Sequence, residues 1–166
     1  MVTSSKLYEW LKFINSHIKP DLGITNDFIH DITAEICSKI YQGLYPANEI
    51  PPKLAKKTDF SIIVNVGRHF VSIIACESYI IYIDPFGIPC LEPFTATFLK
   101  KCKRPILYNK KPIQSVKSKY CGLYAVLFVL YYDPPIVKIK MKFDNNWEKN
   151  DQRCISYIKK LLIIKK

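Results

Sequence analysis

The sequence predicts an α+β fold in which a central sheet packs against one buried helix. Three observations indicate this class. Apolar residues at helical spacing dominate the first 40 positions, and β-branched and aromatic runs follow between residues 60 and 84. Residues 123–132 are then apolar or aromatic without exception. A helix that is apolar on every side belongs in the core.

Two amphipathic helices are predicted at the start of the chain. Ser4 or Ser5 caps the first, and the second begins near Asn26. Their apolar residues at helical spacing are Leu7, Trp10, Leu11 and Ile14 in the first helix, and Phe28, Ile29, Ile32, Ile36 and Ile40 in the second. The prolines of the next stretch, GLYPANEIPPKL, predict a loop.

Consecutive strands are predicted over 60–66, 69–75 and 79–84, where β-branched and aromatic residues cluster between short breaks. A short helix over 91–104 follows. The PILYN and PIQS segments after it indicate a further strand.

The C-terminal part contains the apolar helix, which the Pro134-Pro135 pair ends. The VKIKMKF segment alternates as an edge strand would. Asn150 is placed to cap a last helix that carries Ile155, Ile158 and Leu162 on one face.

Length and composition predict one soluble intracellular domain over residues 1–166, about half of them hydrophobic. The longest apolar run is shorter than the roughly 17–25 residues of a membrane span, and MVTSSKLYEW lacks a signal-peptide pattern. Six cysteines without a CxxC pair indicate reduced thiols, with neither a zinc site nor a disulfide framework.

The net charge of +11 would attract polyanions, nucleic acid first, with an affinity that falls as salt rises. Only three of the cations are arginines, at positions 68, 104 and 153. An A/T-biased coding sequence that favours lysine explains the same charge. Both explanations stay open on the sequence alone.

Cys121 is predicted to stand at the N-terminus of the apolar helix. Unpaired N–H groups there carry about half a positive charge, and this charge and a nearby imidazolium favour a thiolate. Gly122 adds room for a substrate to approach. The alternative is that Cys121 is a small buried residue that opens a core helix.

A hairpin can supply the imidazole. If strands 69–75 and 79–84 are joined by a two-residue turn at Cys76-Glu77, His69 stands directly opposite Asp84 and on the same face. The two side chains would then be hydrogen-bonding neighbours. Because Cys-Glu is a poor two-residue turn, a longer loop that offsets the pair is the alternative.

These residues together predict nucleophilic catalysis by a thiol. Such a nucleophile needs a base, a group that orients the base, and donors for the oxyanion. Cys121, His69 and Asp84 meet the first requirements. The side-chain amide of Gln114 and the backbone N–H of Cys121 can meet the last.

At these positions the sequence resembles the adenovirus-type maturation proteases, adenain and its relatives in other DNA viruses and virus-like transposons. The matching blocks are GLYPANEIP, FSIIVNVGRHFVSI, YIDPFG and QSVKSKYCGLYAVLF, within roughly residues 43–130. The resemblance implies a papain-like fold in which His69 is the base, Asp84 its orienting carboxylate, Gln114 an oxyanion donor and Cys121 the nucleophile.

The resemblance also implies substrate contacts at Tyr45 and Pro46. Phe70 stands where the family usually has Trp, which keeps an aromatic wall but loses an indole N–H. No cofactor is required by the sequence, although the family's activation by DNA and by a small cationic peptide is implied as an option. Cys102 lies near the position of the cysteine that links this peptide in adenain, but a buried, inert thiol is expected there.

The implied function is cleavage of virion precursor polypeptides near small residues such as Gly. We expect a monomer with no membrane partner, located in the virion and in the host cell interior, nucleus or cytoplasm. Two alternatives stay open. One is a deconjugating peptidase of the SUMO or ubiquitin type. Such enzymes usually have Asp before Cys-Gly and Trp after the histidine, where this sequence has Tyr120 and Phe70. The other is a non-catalytic, DNA-binding virion protein on a protease scaffold.

Overall fold

A computed structural model of the chain describes residues 25–36, 39–133 and 140–164, together with Glu9 and Lys12. The apolar residues of the first predicted helix and the Pro134-Pro135 pair lie outside the described residues. No helix in these described ranges has the length and apolarity needed to cross a membrane.

In the part of the chain that the structure describes, five strands form one mixed sheet in the order β1 to β5. They are β1 (Tyr41–Pro46), β2 (Phe60–Asn65), β3 (Phe70–Ala75), β4 (Ile80–Ile83) and β5 (Ile106–Tyr108). The three middle strands are antiparallel, and each outer strand runs parallel to its neighbour. The predicted succession of strands between residues 60 and 84 is confirmed.

Within residues 25–36, 39–133 and 140–164, four helices flank the sheet and complete the predicted α+β class. They are α1 (Asn26–Ile36), α2 (Pro93–Lys101), α3 (Cys121–Tyr132) and α4 (Trp147–Ile164). Two short 3-10 helices, Ala47–Glu49 and Pro52–Lys56, follow β1.

Both faces of the sheet are covered, which explains why its central strands read as continuous apolar runs. Ile63 and Ile74 face the core formed with α1, α3 and α4. Ile62 and Ile73 face the opposite core, formed with α2 and the second 3-10 helix. All ten residues of Cys121–Leu130 are buried, so the predicted core helix is confirmed.

Two predicted elements were wrong, and a third lies partly outside the described residues. GLYPANEIPPKL is not a loop throughout, because its first residues pair with β2 as the edge strand β1. An edge strand tolerates the terminal Pro46, which cannot donate to a neighbour. The strand after α2 ends at Tyr108, so PIQS is not part of it. In the VKIKMKF segment, the described residues 140–143 form no regular element.

The cap of the last helix also differs from the prediction. Helix α4 begins at Trp147, and the Asn146 side chain accepts a hydrogen bond of 3.0 Å from the Lys149 N–H. Asn146 is therefore the capping residue. Asn150 lies inside the helix, fully buried, and its amide donates to the Asp144 carbonyl over 2.8 Å.

Candidate active site

A tight turn between β2 and β3 positions His69. Gly67 and Arg68 form a two-residue loop that is closed by a 2.9 Å bond from the Val66 N–H to the His69 carbonyl. Gly67 has a φ of +95°, as a glycine at the first position of a type II′ hairpin turn requires. His69 is therefore the first residue after the turn, directly before β3.

A second turn, Asp84-Pro85-Phe86-Gly87, follows β4 and positions the carboxylate. The Gly87 N–H donates to the Asp84 carbonyl (2.8 Å), and the Phe86 N–H donates to Asp84 Oδ1 (2.7 Å). This second bond is an Asx turn. Gly87 has a φ of +67°, and a Cβ there would lie 2.6 Å from the Lys111 carbonyl carbon, so only glycine fits.

The two turns bring the imidazole and the carboxylate together. His69 Nε2 donates to Asp84 Oδ1 over 2.9 Å, and the two side chains are 19% and 5% exposed. The predicted direct opposition was wrong, because the two-residue turn that joins the strands is Glu77-Ser78 and not Cys76-Glu77. The Cys76 N–H donates to the Tyr79 carbonyl (2.9 Å), and Ser72 pairs with Ile83. The register differs by two residues, and a shift of two keeps side chains on the same face.

Two residues that the sequence reasoning missed hold this pair. The Asn109 side chain bonds both backbone groups of Asp84, accepting from its N–H (2.9 Å) and donating to its carbonyl (2.6 Å). The Phe86 ring stacks on the imidazole with centroids 4.8 Å apart and planes at 20°. Phe86 lies within the YIDPFG block, whereas Asn109 has no local sequence signal.

Cys121 is the first residue of α3 and is 8% exposed. Tyr120 occupies the N-cap position without a side-chain capping bond, so the positive end of the helix dipole is left at the thiol. The structure thus places the thiol at the start of a buried helix, as predicted.

The imidazole and the thiol are neighbours. Burial lowers the pKa of His69, but the hydrogen bond to Asp84, the interaction with the Cys121 thiol and the charges of both groups outweigh it and raise the pKa to about 9. His69 Nδ1 is buried and has no partner at hydrogen-bonding geometry within the described ranges. The sulfur is therefore adjacent to the ring without a hydrogen bond to it.

Gln114 lies in the segment that leads into α3 and is 1% exposed. Its N–H donates to the Pro85 carbonyl (3.1 Å), which ties it to the turn that carries Asp84. The side-chain amide donates to the Ser118 carbonyl (2.9 Å), and its oxygen has no partner among the described residues. The structure thus joins Gln114 both to the turn that carries Asp84 and to the segment before Cys121, and its role toward an oxyanion stays a prediction.

Two predicted substrate contacts face the core instead. A Cβ on Gly122 would lie 2.5 Å from Ile29 Cδ1, so the space beside this glycine is filled by α1. Phe70 is 9% exposed and packs in the same core. Neither residue presents the open surface that a substrate contact needs, because α1 closes against the start of α3.

The other two predicted contacts lie at the end of β1. Tyr45 is half-buried, and its hydroxyl donates to the Gln42 carbonyl over 2.6 Å. Pro46 is exposed and lines a cavity of about 450 Å³ together with Gly67 of the β2–β3 turn. Pro46 therefore shares a cavity with the turn that precedes His69, whereas the hydroxyl of Tyr45 is already engaged.

No group of three or more His, Cys, Asp or Glu side chains suited to a metal occurs among the described residues. What the site offers is a thiol at a helix N-terminus, an imidazole beside it and a carboxylate that orients the ring. This arrangement can generate a sulfur nucleophile and move its proton.

Comparisons with known proteins show the fold. No family model matches the sequence, and no curated protein matches it. The central domain of an uncharacterized protein from Legionella pneumophila is similar, with a TM-score of 0.51 and 14% identity over 86% of this chain and 99% of that one. A de-sumoylating protease is similar with a TM-score of 0.42 and 12% identity, over 93% of this chain and 85% of that one. At these identities neither likeness assigns an activity.

Proposed function

We propose that this protein is a cysteine peptidase in which Cys121 is the nucleophile, His69 the acid and base, and Asp84 the group that orients His69. The observation that supports this most is the bond of 2.9 Å from Nε2 to Asp84, which leaves Nδ1 to the thiol beside it. A raised pKa of about 9 keeps the imidazole protonated at neutral pH. A Cys121 thiolate beside this imidazolium and at the N-terminus of α3 is the proposed nucleophile.

The reaction follows from these two charges. The Cys121 thiolate attacks the substrate carbonyl carbon, and the oxyanion is stabilised by the Cys121 N–H and the Gln114 amide. As the C–N bond breaks, Nδ1 of His69 donates its proton to the leaving amine, and a thioester remains. Water then attacks the thioester while His69 takes its proton. The acid product leaves and the thiolate–imidazolium pair is restored.

The resemblance to the adenain-type proteases supports a more specific proposal. The protein would be an endopeptidase that cleaves virion precursor polypeptides near small residues such as Gly. It would act as a monomer in the virion and in the host cell interior. Pro46, which is exposed beside the 450 Å³ cavity that reaches Gly67, is a residue that such a polypeptide would contact.

A peptide cleavage assay tests the proposal. Purified protein is incubated with Gly-Gly-containing peptides, with and without DNA, beside Cys121→Ala, His69→Ala and Cys102→Ala. Cys102 is a matched control, since it is also buried (6% exposed) but lies in the core on the opposite face of the sheet. We expect cleavage by wild type and Cys102→Ala alone. Cleavage that survives in Cys121→Ala would refute the assignment.

The same assay separates the deconjugating alternative. Release of a folded ubiquitin-like protein from its isopeptide or tail fusion, in preference to peptides, would indicate a deconjugating peptidase. Turnover of short peptides without any preference for such a folded partner would indicate an endopeptidase.

A second proposal, nucleic-acid binding, is supported by a lysine cluster. Six exposed lysines lie on two adjoining segments, namely Lys53, Lys56 and Lys57 on one and Lys100, Lys101 and Lys103 on the other. Leu54 and Phe98 share a core cluster, and Arg104 donates to the Lys57 carbonyl over 2.9 Å, so the segments are adjacent. Charges brought together in this way bind phosphates better than the same number scattered by coding bias.

A further inference from the structure

A buried carboxylate on α4 lies against the active-site segment. Asp151 is 5% exposed, and its Oδ1 accepts a hydrogen bond of 2.9 Å from the Tyr124 hydroxyl. Tyr124 is one turn into α3 from Cys121 and is fully buried. Its hydroxyl also lies 3.0 Å from the Ile113 carbonyl oxygen, which belongs to the residue before Gln114.

The same carboxylate lies beside the turn that holds the Gln114 side chain. Ser115, Ser118 and Asp151 line the same cavity of about 310 Å³, and the Ser118 hydroxyl donates to the Ser115 carbonyl (3.2 Å). Burial raises the pKa of Asp151, while interactions with Ser118, Tyr124 and Ser115 stabilise its charge and act in the opposite direction. The Ser118 N–H donates to the Ser115 carbonyl (3.1 Å), which closes the turn. The Ser118 carbonyl in turn accepts from the Gln114 amide (2.9 Å).

Gln114 is therefore held from two sides. Its backbone is fixed to Pro85, in the turn that carries Asp84, and its side chain to Ser118, in the turn beside Asp151. An oxyanion donor acts only if it is fixed before the reaction, since a misplacement of about 1 Å costs on the order of 10²-fold in rate.

We propose that Asp151 is a positioning residue that, through Tyr124 and the 115–118 turn, holds the Gln114 amide and the start of α3 in their catalytic arrangement. The inference rests on the proposed peptidase function. It assigns to α4 a part in catalysis, although Asp151 itself touches neither the substrate nor the reacting atoms.

Two reactions at Cys121 separate positioning from mere stability. Peptide hydrolysis develops an oxyanion, whereas alkylation of the thiolate by iodoacetamide does not. Asp151→Asn should therefore lower kcat about 10–100-fold. KM should stay within about threefold of wild type, and the alkylation rate of Cys121 within about twofold. Gln114→Ala should show the same pattern, and combining the two changes should cost much less than the product of the single losses.

Asn150→Ala is the matched control. Asn150 is the preceding residue on α4 and is also buried, but it bonds the Asp144 segment and not the 115–118 turn. We expect this variant to lower Tm while kcat of the folded enzyme stays within about twofold of wild type. Tyr124→Phe, which removes only the hydroxyl between Asp151 and Ile113, should reproduce part of the Asp151→Asn loss.

Two results would overturn this inference but leave the proposed peptidase function standing. In one, an active wild type is accompanied by an Asp151→Asn variant with unchanged kcat. In the other, Asp151→Asn loses kcat, alkylation and Tm together, as a generally destabilised protein would. A wild type with no turnover, whose Cys121 is alkylated no faster than Cys90, would overturn the proposed function and this inference together.

Discussion

His69 Nε2 donates to Asp84 Oδ1 over 2.9 Å, although the two residues are not opposite each other in the β3–β4 ladder. Each stands just beyond the end of its strand, on a turn that its own sequence specifies. The bond fixes the proton of the neutral ring on Nε2 and leaves the Nδ1 lone pair for the thiol. The tautomer that the proposed peptidase function requires is therefore set by two short turns.

Asp84→Asn should move the alkaline limit of activity to lower pH. The leaving amine needs the imidazolium proton, so wild-type kcat/KM should decline as pH rises through about 9, the raised pKa of His69. Asp84 favours the charged ring, and its removal lowers that pKa. We expect the decline to begin about 1–3 pH units earlier in a pH–rate profile. An alkaline limit that does not move would show that Asp84 does not act on the ring.

Phe86→Ala should shift the same limit in the opposite direction. Burial is the main influence that lowers the pKa of His69, and the Phe86 ring covers the imidazole at 4.8 Å. Removing the ring admits water, so the pKa should rise. Without a stacking interaction worth about 0.5–1.5 kcal/mol, kcat should also fall about 2–10-fold. Phe86→Tyr keeps the ring and should behave as wild type; equal losses in both variants would argue against a role for stacking.

Gly122→Ala should destabilise the protein by about 1–3 kcal/mol, because the new Cβ would meet Ile29 Cδ1 at 2.5 Å. Ile29→Val deletes that Cδ1 atom and alone should cost about 0.5–1.5 kcal/mol. The double variant should be more stable than the sum of the two losses predicts, as measured by denaturant unfolding. Additive losses would mean that Gly122 does not owe its identity to contact with α1.

The lysine cluster should bind DNA in a strongly salt-dependent way. Lys53→Ala with Lys100→Ala should reduce the slope of log affinity against log salt by up to about 0.9 for each DNA phosphate that is no longer neutralised. Lys140→Ala with Lys142→Ala, which removes the same charge outside this cluster, is the control. Equal changes in both pairs, or an affinity indifferent to salt, would favour coding bias as the source of the charge.

Most of the central architecture could be predicted because the local pattern of hydrophobic residues determines it. The run 123–132 is too apolar for anything but a core helix, and residues 60–84 carry β-branched residues between short breaks. β1 escaped prediction because its pairing with β2, and not its own Gly- and Pro-containing sequence, makes it a strand. Tertiary contact overrides local preference there.

The residues of the candidate site also divide into those that the sequence could predict and those that it could not. His69, Asp84 and Cys121 could be brought together from the sequence because an even-numbered error in the β3–β4 register preserves the face of each strand residue. Asn109 and Asp151 could not, because their partners Asp84 and Tyr124 are 25 and 27 residues away with no intervening pattern to connect them. Gly122 was misjudged because its neighbour Ile29 is distant in sequence.

The relative alkylation rate of Cys121 tests the central claim most directly. Cys76 and Cys90 are half-buried and more accessible than Cys121, so labelling by exposure alone would modify both of them before Cys121. At neutral pH and limiting iodoacetamide, with sites identified by peptide mapping, we predict that Cys121 is alkylated first. His69→Ala should abolish this preference while Cys90 reacts unchanged. Labelling that follows exposure in wild type, with no effect of His69→Ala, would contradict the account.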